Sequence, residues 1–235
     1  LDLIKKEDPQ LIIHLAALPL ANLSFDVSQE AYTSIFGSTY NLLESIRICN
    51  PKIKFVFASS SMVYGNFIGK EAFESDPLKP LSNYGAAKLS GEVLVRGFSS
   101  SYQISSLIIR PSAVYGPGDQ NLRVLQKFVN EGFKKGKAKV NGKNLVLDFT
   151  YIDDICNGFF LAAEKLNLER KPIFEIINCT SGDPVSLEIA VNSIKKHFPD
   201  LQVDFLPSDP RVPIRGGLNL KKAKSFLGYK PQYKF

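Results

Sequence analysis

"KIKFVFASSSMVYG", residues 52–65, runs without a break from an apolar, β-branched and aromatic stretch into three consecutive serines. The first half has the composition of a strand buried on both faces, as the strands of parallel sheets are. Small hydroxyl residues at the end of such a strand lie where an open α/β sheet binds its ligands, outside the carboxyl ends of the strands. Serines also satisfy backbone groups in a strand-to-loop turn, so a plain structural reading stands beside the functional one.

Two more runs of this type flank the first, "QLIIHLAAL" (10–18) and "SSLIIR" (105–110). Between them, "SQEAYTSIFGSTYNLLESIRICN" (28–50) reads as a helix, with a serine at its start and apolar residues at Ile35, Leu42, Leu43 and Ile46. Residues 82–102 read as another. Strand, helix, strand, helix, strand predicts a parallel sheet with helices on both faces. Beyond residue 119 the pattern predicts a helix over 121–135 and short strands near 138–140 and 145–148. A helix over about 152–165, a strand over 173–179, a helix over 186–198, a strand over 202–206 and a short helix over 221–229 follow. There is no internal repeat and no low-complexity linker, so the second half is expected to form a smaller lobe packed on the sheet.

Composition narrows the function. At 235 residues, 44% hydrophobic and 22% charged, the chain is an ordinary globular protein with one large core. No apolar run reaches the roughly 20 residues that span a bilayer, and no export signal is present, which points to the cytoplasm. The net charge of +6 is not gathered on one element: "KKGKAK" (134–139) and "KKAK" (221–224) are short. A nucleic-acid partner is therefore not expected, whereas a mildly positive field suits a small anion. Cys49, Cys156 and Cys179 are far apart, and His14 and His197 form no ligand spacing, so neither a metal site nor a disulfide framework is expected.

"SNYGAAKLSGE" (82–92) places Tyr84 and Lys88 at i and i+4, on one helix face. A free tyrosine has a pKa of about 10 and is a poor base at neutral pH. A neighbouring ammonium favours phenolate, which predicts that Lys88 lowers the pKa of Tyr84. With a serine hydroxyl to orient a substrate oxygen, the set suits removal of a proton from a secondary alcohol while a hydride leaves the same carbon for a nicotinamide.

With these residues in order, the chain resembles the extended short-chain dehydrogenases/reductases, particularly their nucleotide-sugar epimerase/dehydratase branch. The landmarks are "IIHLAA" (12–17), "GSTYNLLES" (37–45), "FVFASSSMVYG" (55–65), "NYGAAK" (83–88), "RPSAVYGPGD" (110–119), "DFTYIDD" (148–154), "INCTSGDPVSLEIA" (177–190) and "KAKSFLGYKP" (222–231). The resemblance implies a Rossmann-like doubly wound parallel sheet with a smaller α/β substrate lobe. Residues 1–112 and 150–180 would form the dinucleotide-binding part, and 113–149 and 181–235 the substrate lobe. It implies an NAD-dependent 4-epimerase acting on a nucleotide sugar by transient hydride transfer, with NADP left open. Tyr84 would be the general base and acid, Lys88 would hold the nicotinamide ribose, and Ser60 would orient the reacting hydroxyl. His14, Ala16, Ala17, Ala58, Ser59 and Pro111 would join Tyr84 and Lys88 along the cofactor. Ser60, Ser61, Ala113, Arg123, Arg211 and Arg215 would face the substrate. Helices 28–50 and 82–102 would form a homodimer interface.

Departures from the family pattern qualify these expectations. The glycine-rich turn that cradles the dinucleotide pyrophosphate does not occur in this chain, which starts about two βα units later in the pattern. Weak or no cofactor binding by the chain alone is the resulting expectation. Met62 stands two residues after Ser60, where the dehydratases carry an acid, and a methionine cannot transfer a proton. Ala113 and Leu147 replace two residues that contact the substrate in the 4-epimerases. Two alternatives therefore stand beside the epimerase: a dehydrogenase of a non-nucleotide, sterol-type alcohol, and a non-catalytic dimerising relative.

Overall fold

The computed structural model describes residues 1–17, 28–119, 121 and 123–235. The central sheet has four parallel strands in the order β1 (Leu11–His14), β2 (Lys54–Ala58), β4 (Ser106–Arg110) and β9 (Phe174–Asn178). Strand β3 is the two-residue Glu71–Ala72. The expected strand over 10–18 is shorter than its apolar run, and its last residue, Leu18, lies outside the described residues.

Side-chain alternation along the strands assigns the two faces. Phe55, Phe57 and Ile108 point to one face, where they meet Ile35 and Leu43 together with Ala87 and Val95. The last two belong to α4 (Asn83–Tyr102). Val56, Leu107 and Ile109 point to the other, packing on Ile155, Ala162 and Leu166 of α6 (Ile152–Leu168). The sheet is thus covered on both sides, as the alternating pattern predicts. On the first face, residues 28–49 form α2 (Ser28–Tyr32), a π-helical turn (Thr33–Gly37) and α3 (Ser38–Cys49) in succession.

The remaining elements gather around a third apolar cluster that includes Phe128, Val140, Phe149 and Val191. They comprise α5 (Val124–Phe133), β6 (Lys137–Asn141) and β7 (Val146–Asp148), then β10 (Pro184–Ser186), α7 (Leu187–Lys195) and β11 (Gln202–Leu206). β6 pairs with β11 in parallel, and β7 with β10 antiparallel. Leu122, within the expected helix over 121–135, lies outside the described residues. Buried Asp148 ties this region to the sheet: its carboxylate accepts from Thr180 (2.8 Å), Ser181 (2.7 Å), Gly182 N (3.2 Å) and Leu218 N (3.1 Å). Among the described residues, no helix is long and apolar enough to cross a membrane.

Candidate active site

The serines leave β2 at the carboxyl edge of the sheet. Ser59 N donates to Ile109 O and Ser61 N to Pro111 O, both at 2.8 Å, so the exit of β2 is laced to the exit of β4. Ser60 caps a 3₁₀ turn over Ser61–Val63, its hydroxyl accepting from Met62 N at 3.2 Å. Ser82 caps α4 in the same manner, accepting from Gly85 N at 3.1 Å.

Gly85 lets these two caps meet. A Cβ at that position would stand 2.7 Å from Met62 O, so only a glycine allows the start of α4 to lie this close to the serine turn. Its neighbour Tyr84 thereby comes close to Ser60: both line one cavity, and the Ser60 hydroxyl acts on the phenol. One helical turn on, Lys88 Nζ donates to Ala58 O at 2.6 Å and lies 5.2 Å from the Phe57 ring centroid and 5.8 Å from that of Tyr84.

Electrostatics corrects one expectation. The cation that pulls the Tyr84 pKa down is Arg123, aided by the Ser60 hydrogen bond, and burial outweighs both, so the phenol stays above its ordinary value. Lys88 instead spends its ammonium on the Ala58 carbonyl. Burial pushes its pKa down to about 8 against the opposing pull of Glu92. An ammonium has three donors, and Ala58 O is the one hydrogen-bond acceptor found for Lys88 among the described residues. A buried ammonium with donors to spare fits the hydroxyls of a nucleotide ribose. Ala16, Ala17 and Ala58 at the neighbouring strand ends leave the backbone open to close approach.

The His14 side chain is held by α3. It is buried, with Nε2 lying 3.1 Å from Thr39 Oγ1 and 3.2 Å from Ser38 Oγ. Both hydroxyls donate to carbonyls one turn back, Thr39 to Ile35 O (2.6 Å) and Ser38 to Ser34 O (2.5 Å), so Nε2 carries the imidazole proton. The π-helical turn just before Ser38 sets the two hydroxyls at the ring. Burial, and then the charge of Lys88, hold His14 down at about 4, hence neutral at pH 7. The side chain thereby holds α3 to β1, the structural role that stands beside its expected place along the cofactor.

A cavity of about 660 Å³ opens in front of the Tyr84–Ser60 pair. Ser59, Ser61, Pro111, Ala113, Arg123, Arg211 and Arg215 from the sequence-based set line it, whereas His14, Ala16, Ala17, Ala58 and Lys88 do not. Met62 also lines it. Arg211 is bound to Asp209 through Nη2 at 2.6 Å. Arg215 differs: the side chain is half-buried, its Nε is buried without a hydrogen-bond partner among the described residues, and burial pushes its pKa down to about 10. A guanidinium that lines a cavity with a buried N–H still unpaired suits an anion.

Sequence reasoning missed the group beneath the serines. Glu92, buried on α4, accepts from Ser59 Oγ and from Arg110 Nε (2.9 Å) on Oε1, and from Arg110 Nη2 (2.6 Å) on Oε2. Arg110 Nη1 donates to Tyr64 OH (2.8 Å), which donates to Asn178 Oδ1 (2.8 Å). The available signal was Glu92 one turn after Lys88, a charge on the helix face that packs on the sheet.

The profile of the NAD dependent epimerase/dehydratase family matches residues 1–179. The chain is 29% identical to dTDP-D-glucose 4,6-dehydratase of Bos taurus, over 98% of its own length and 65% of the relative's. It is 29% identical to UDP-glucuronate 4-epimerase 1 of Arabidopsis thaliana, over 94% and 55% respectively. It thus spans less than two thirds of both curated relatives. The crystal structure of UDP-glucuronic acid 4-epimerase from Bacillus cereus, in complex with UDP-glucuronic acid and NAD, superposes with a TM-score of 0.90 at 28% identity, over 99% of this chain and 73% of that one. The family match over three quarters of the sequence and the superposition agree: the chain belongs to the NAD dependent epimerase/dehydratase family, whose cofactor is NAD.

Proposed function

We propose an NAD-dependent nucleotide-sugar epimerase that acts by transient hydride transfer at a secondary alcohol of the sugar. One observation carries the reading: a single cavity is lined by Tyr84, Ser60 and Arg215, whose buried Nε has no hydrogen-bond partner among the described residues. A neutral alcohol would leave that guanidinium uncompensated, whereas the diphosphate of a nucleotide sugar neutralises it.

In this reading, bound NAD supplies the acceptor that takes the hydride and returns it. Ser60 holds the sugar hydroxyl against Tyr84, and Tyr84 takes the hydroxyl proton; once the keto sugar has turned so that the opposite face of its carbonyl carbon meets the cofactor, Tyr84 gives the proton back to the oxygen. Lys88 holds the ribose, with the strand ends at Ala16, Ala17, Ala58, Ser59 and Pro111 along the cofactor. Arg215 binds the diphosphate, while Arg123 acts on the phenol. Met62 offers no proton donor beside the pair, which favours epimerisation over loss of water. Residues 1–112 and 150–180 serve the cofactor, and 113–149 and 181–235 the substrate. A homodimer through helices 28–50 and 82–102, in the cytoplasm, belongs to the same reading. Tyr32, Tyr40, Val93 and Tyr102 expose apolar surface on those helices.

The test combines binding and turnover. Titration calorimetry with UDP-glucose and UDP-glucuronic acid is expected to show binding that Arg215→Ala weakens by about 10-fold or more. Incubation with NAD and the bound sugar nucleotide should give the 4-epimer by proton NMR, and Tyr84→Phe should give none. No binding of either compound, a dehydrated product, or turnover surviving in Tyr84→Phe refutes the proposal.

A further inference from the structure

Three consecutive residues at the tip of β2 meet three residues spaced four apart on α4. Ala58 O accepts from Lys88, the Ser59 hydroxyl donates to Glu92, and Ser60 lines the cavity beside Tyr84. In a continuing strand, successive side chains point to opposite faces. Here Ser59 and Ser60 both reach α4, so the pleat is broken between them. The strand ladder alone therefore does not set the direction of the Ser60 hydroxyl.

Glu92 is the fixed point of this arrangement. Both of its oxygens are held by Arg110, at 2.9 and 2.6 Å, and Arg110 projects from the end of β4. The guanidinium is in turn held by Tyr64 OH at 2.8 Å, and Tyr64 follows the 3₁₀ turn that Ser60 caps. The clamp closes on both sides of Ser60, through Ser59 before it and Tyr64 after it. Glu92 itself lies outside the cavity lining and touches neither reacting hydroxyl.

We infer that Glu92 is a positioning residue: acting through Ser59 and Arg110, it fixes the tip of β2 against α4 so that the Ser60 hydroxyl meets the Tyr84 phenol. The inference rests on the reading of Tyr84 and Ser60 as the reacting pair, and its test separates the two. Ser59→Ala removes the link to the strand tip and leaves the Glu92–Arg110 ion pair in place, so the fold is kept.

The protein is labelled with ¹³Cζ-tyrosine, and the Tyr84 signal is assigned by its loss in Tyr84→Phe. Ser60→Ala should displace that signal by removing the hydroxyl that acts on the phenol. Ser59→Ala should displace it in the same direction, with the other tyrosine signals and the melting temperature held. In the epimerisation assay, kcat should fall by about 10-fold or more at constant KM in Ser59→Ala, the signature of lost orientation rather than lost binding. A Tyr84 signal that moves in Ser60→Ala but not in Ser59→Ala overturns the inference alone. A signal that moves in neither overturns the reacting pair, and the inference with it.

Discussion

Glu92→Gln keeps the shape of the side chain and removes its charge, which isolates the worth of the buried ion pair. The Arg110 and Glu92 side chains are 1% and 3% exposed. In the variant, one amide oxygen can still accept from Ser59 or Arg110, but the amide NH₂ faces a guanidinium N–H. Donor then meets donor, and the Arg110 charge is buried without compensation. Breaking one partner of such a pair costs about 3–5 kcal/mol. For a chain of this size about 1 kcal/mol moves Tm by roughly 2–4 °C, so a drop of roughly 6–20 °C is expected. Urea and thermal unfolding followed by far-ultraviolet circular dichroism measure it. The control is the double variant Glu92→Leu with Arg110→Met, which removes both charges together. It should recover much of the loss, because the desolvation penalty leaves with the charges. A Glu92→Gln loss below about 1 kcal/mol, or a double variant no better than the single one, would show that the pair is not the clamp described here.

Two further predictions follow from the geometry around the sheet edge. His14 has a pKa depressed from 6.5 to about 4, so between those values the unfolded chain binds more protons than the folded one. Stability is therefore lost as pH falls through that window, by up to ~3 kcal/mol, and His14→Gln should flatten the acid limb of a stability–pH profile. An acid limb unchanged in that variant would count against the assignment. Gly85→Ala would place its Cβ 2.7 Å from Met62 O and 3.0 Å from Pro80 Cβ, pushing the start of α4 off the serine turn. A loss of about 1–3 kcal/mol and a displaced Tyr84 ¹³Cζ signal are expected, and a wild-type signal would refute the close-approach argument.

The sequence by itself determined the features that local geometry controls. Apolar runs at 52–59 and 105–110 became β2 and β4, and the helix over 82–102 became α4 within a residue of its expected start. The i, i+4 spacing of Tyr84 and Lys88 follows from the pitch of a helix whatever the helix packs on, and the serines fall at a strand exit because the apolar run ends there. Only the tertiary structure decided the electrostatics and the long-range partners. Lys88 spends its ammonium on the Ala58 carbonyl, and the charge acting on the Tyr84 phenol comes from Arg123, 39 positions along the chain. Arg211 and Arg215 read alike as sequence, yet one is bound to Asp209 and the other keeps a buried Nε without a hydrogen-bond partner among the described residues. The two-residue strands, the parallel pairing of β6 with β11, and the Glu92–Arg110 clamp likewise carry no periodic signal. A charge is felt over several ångströms in every direction, and burial sets its strength. Sequence spacing encodes direction along one helix or strand, but not which elements the fold brings together or how much water it leaves between them.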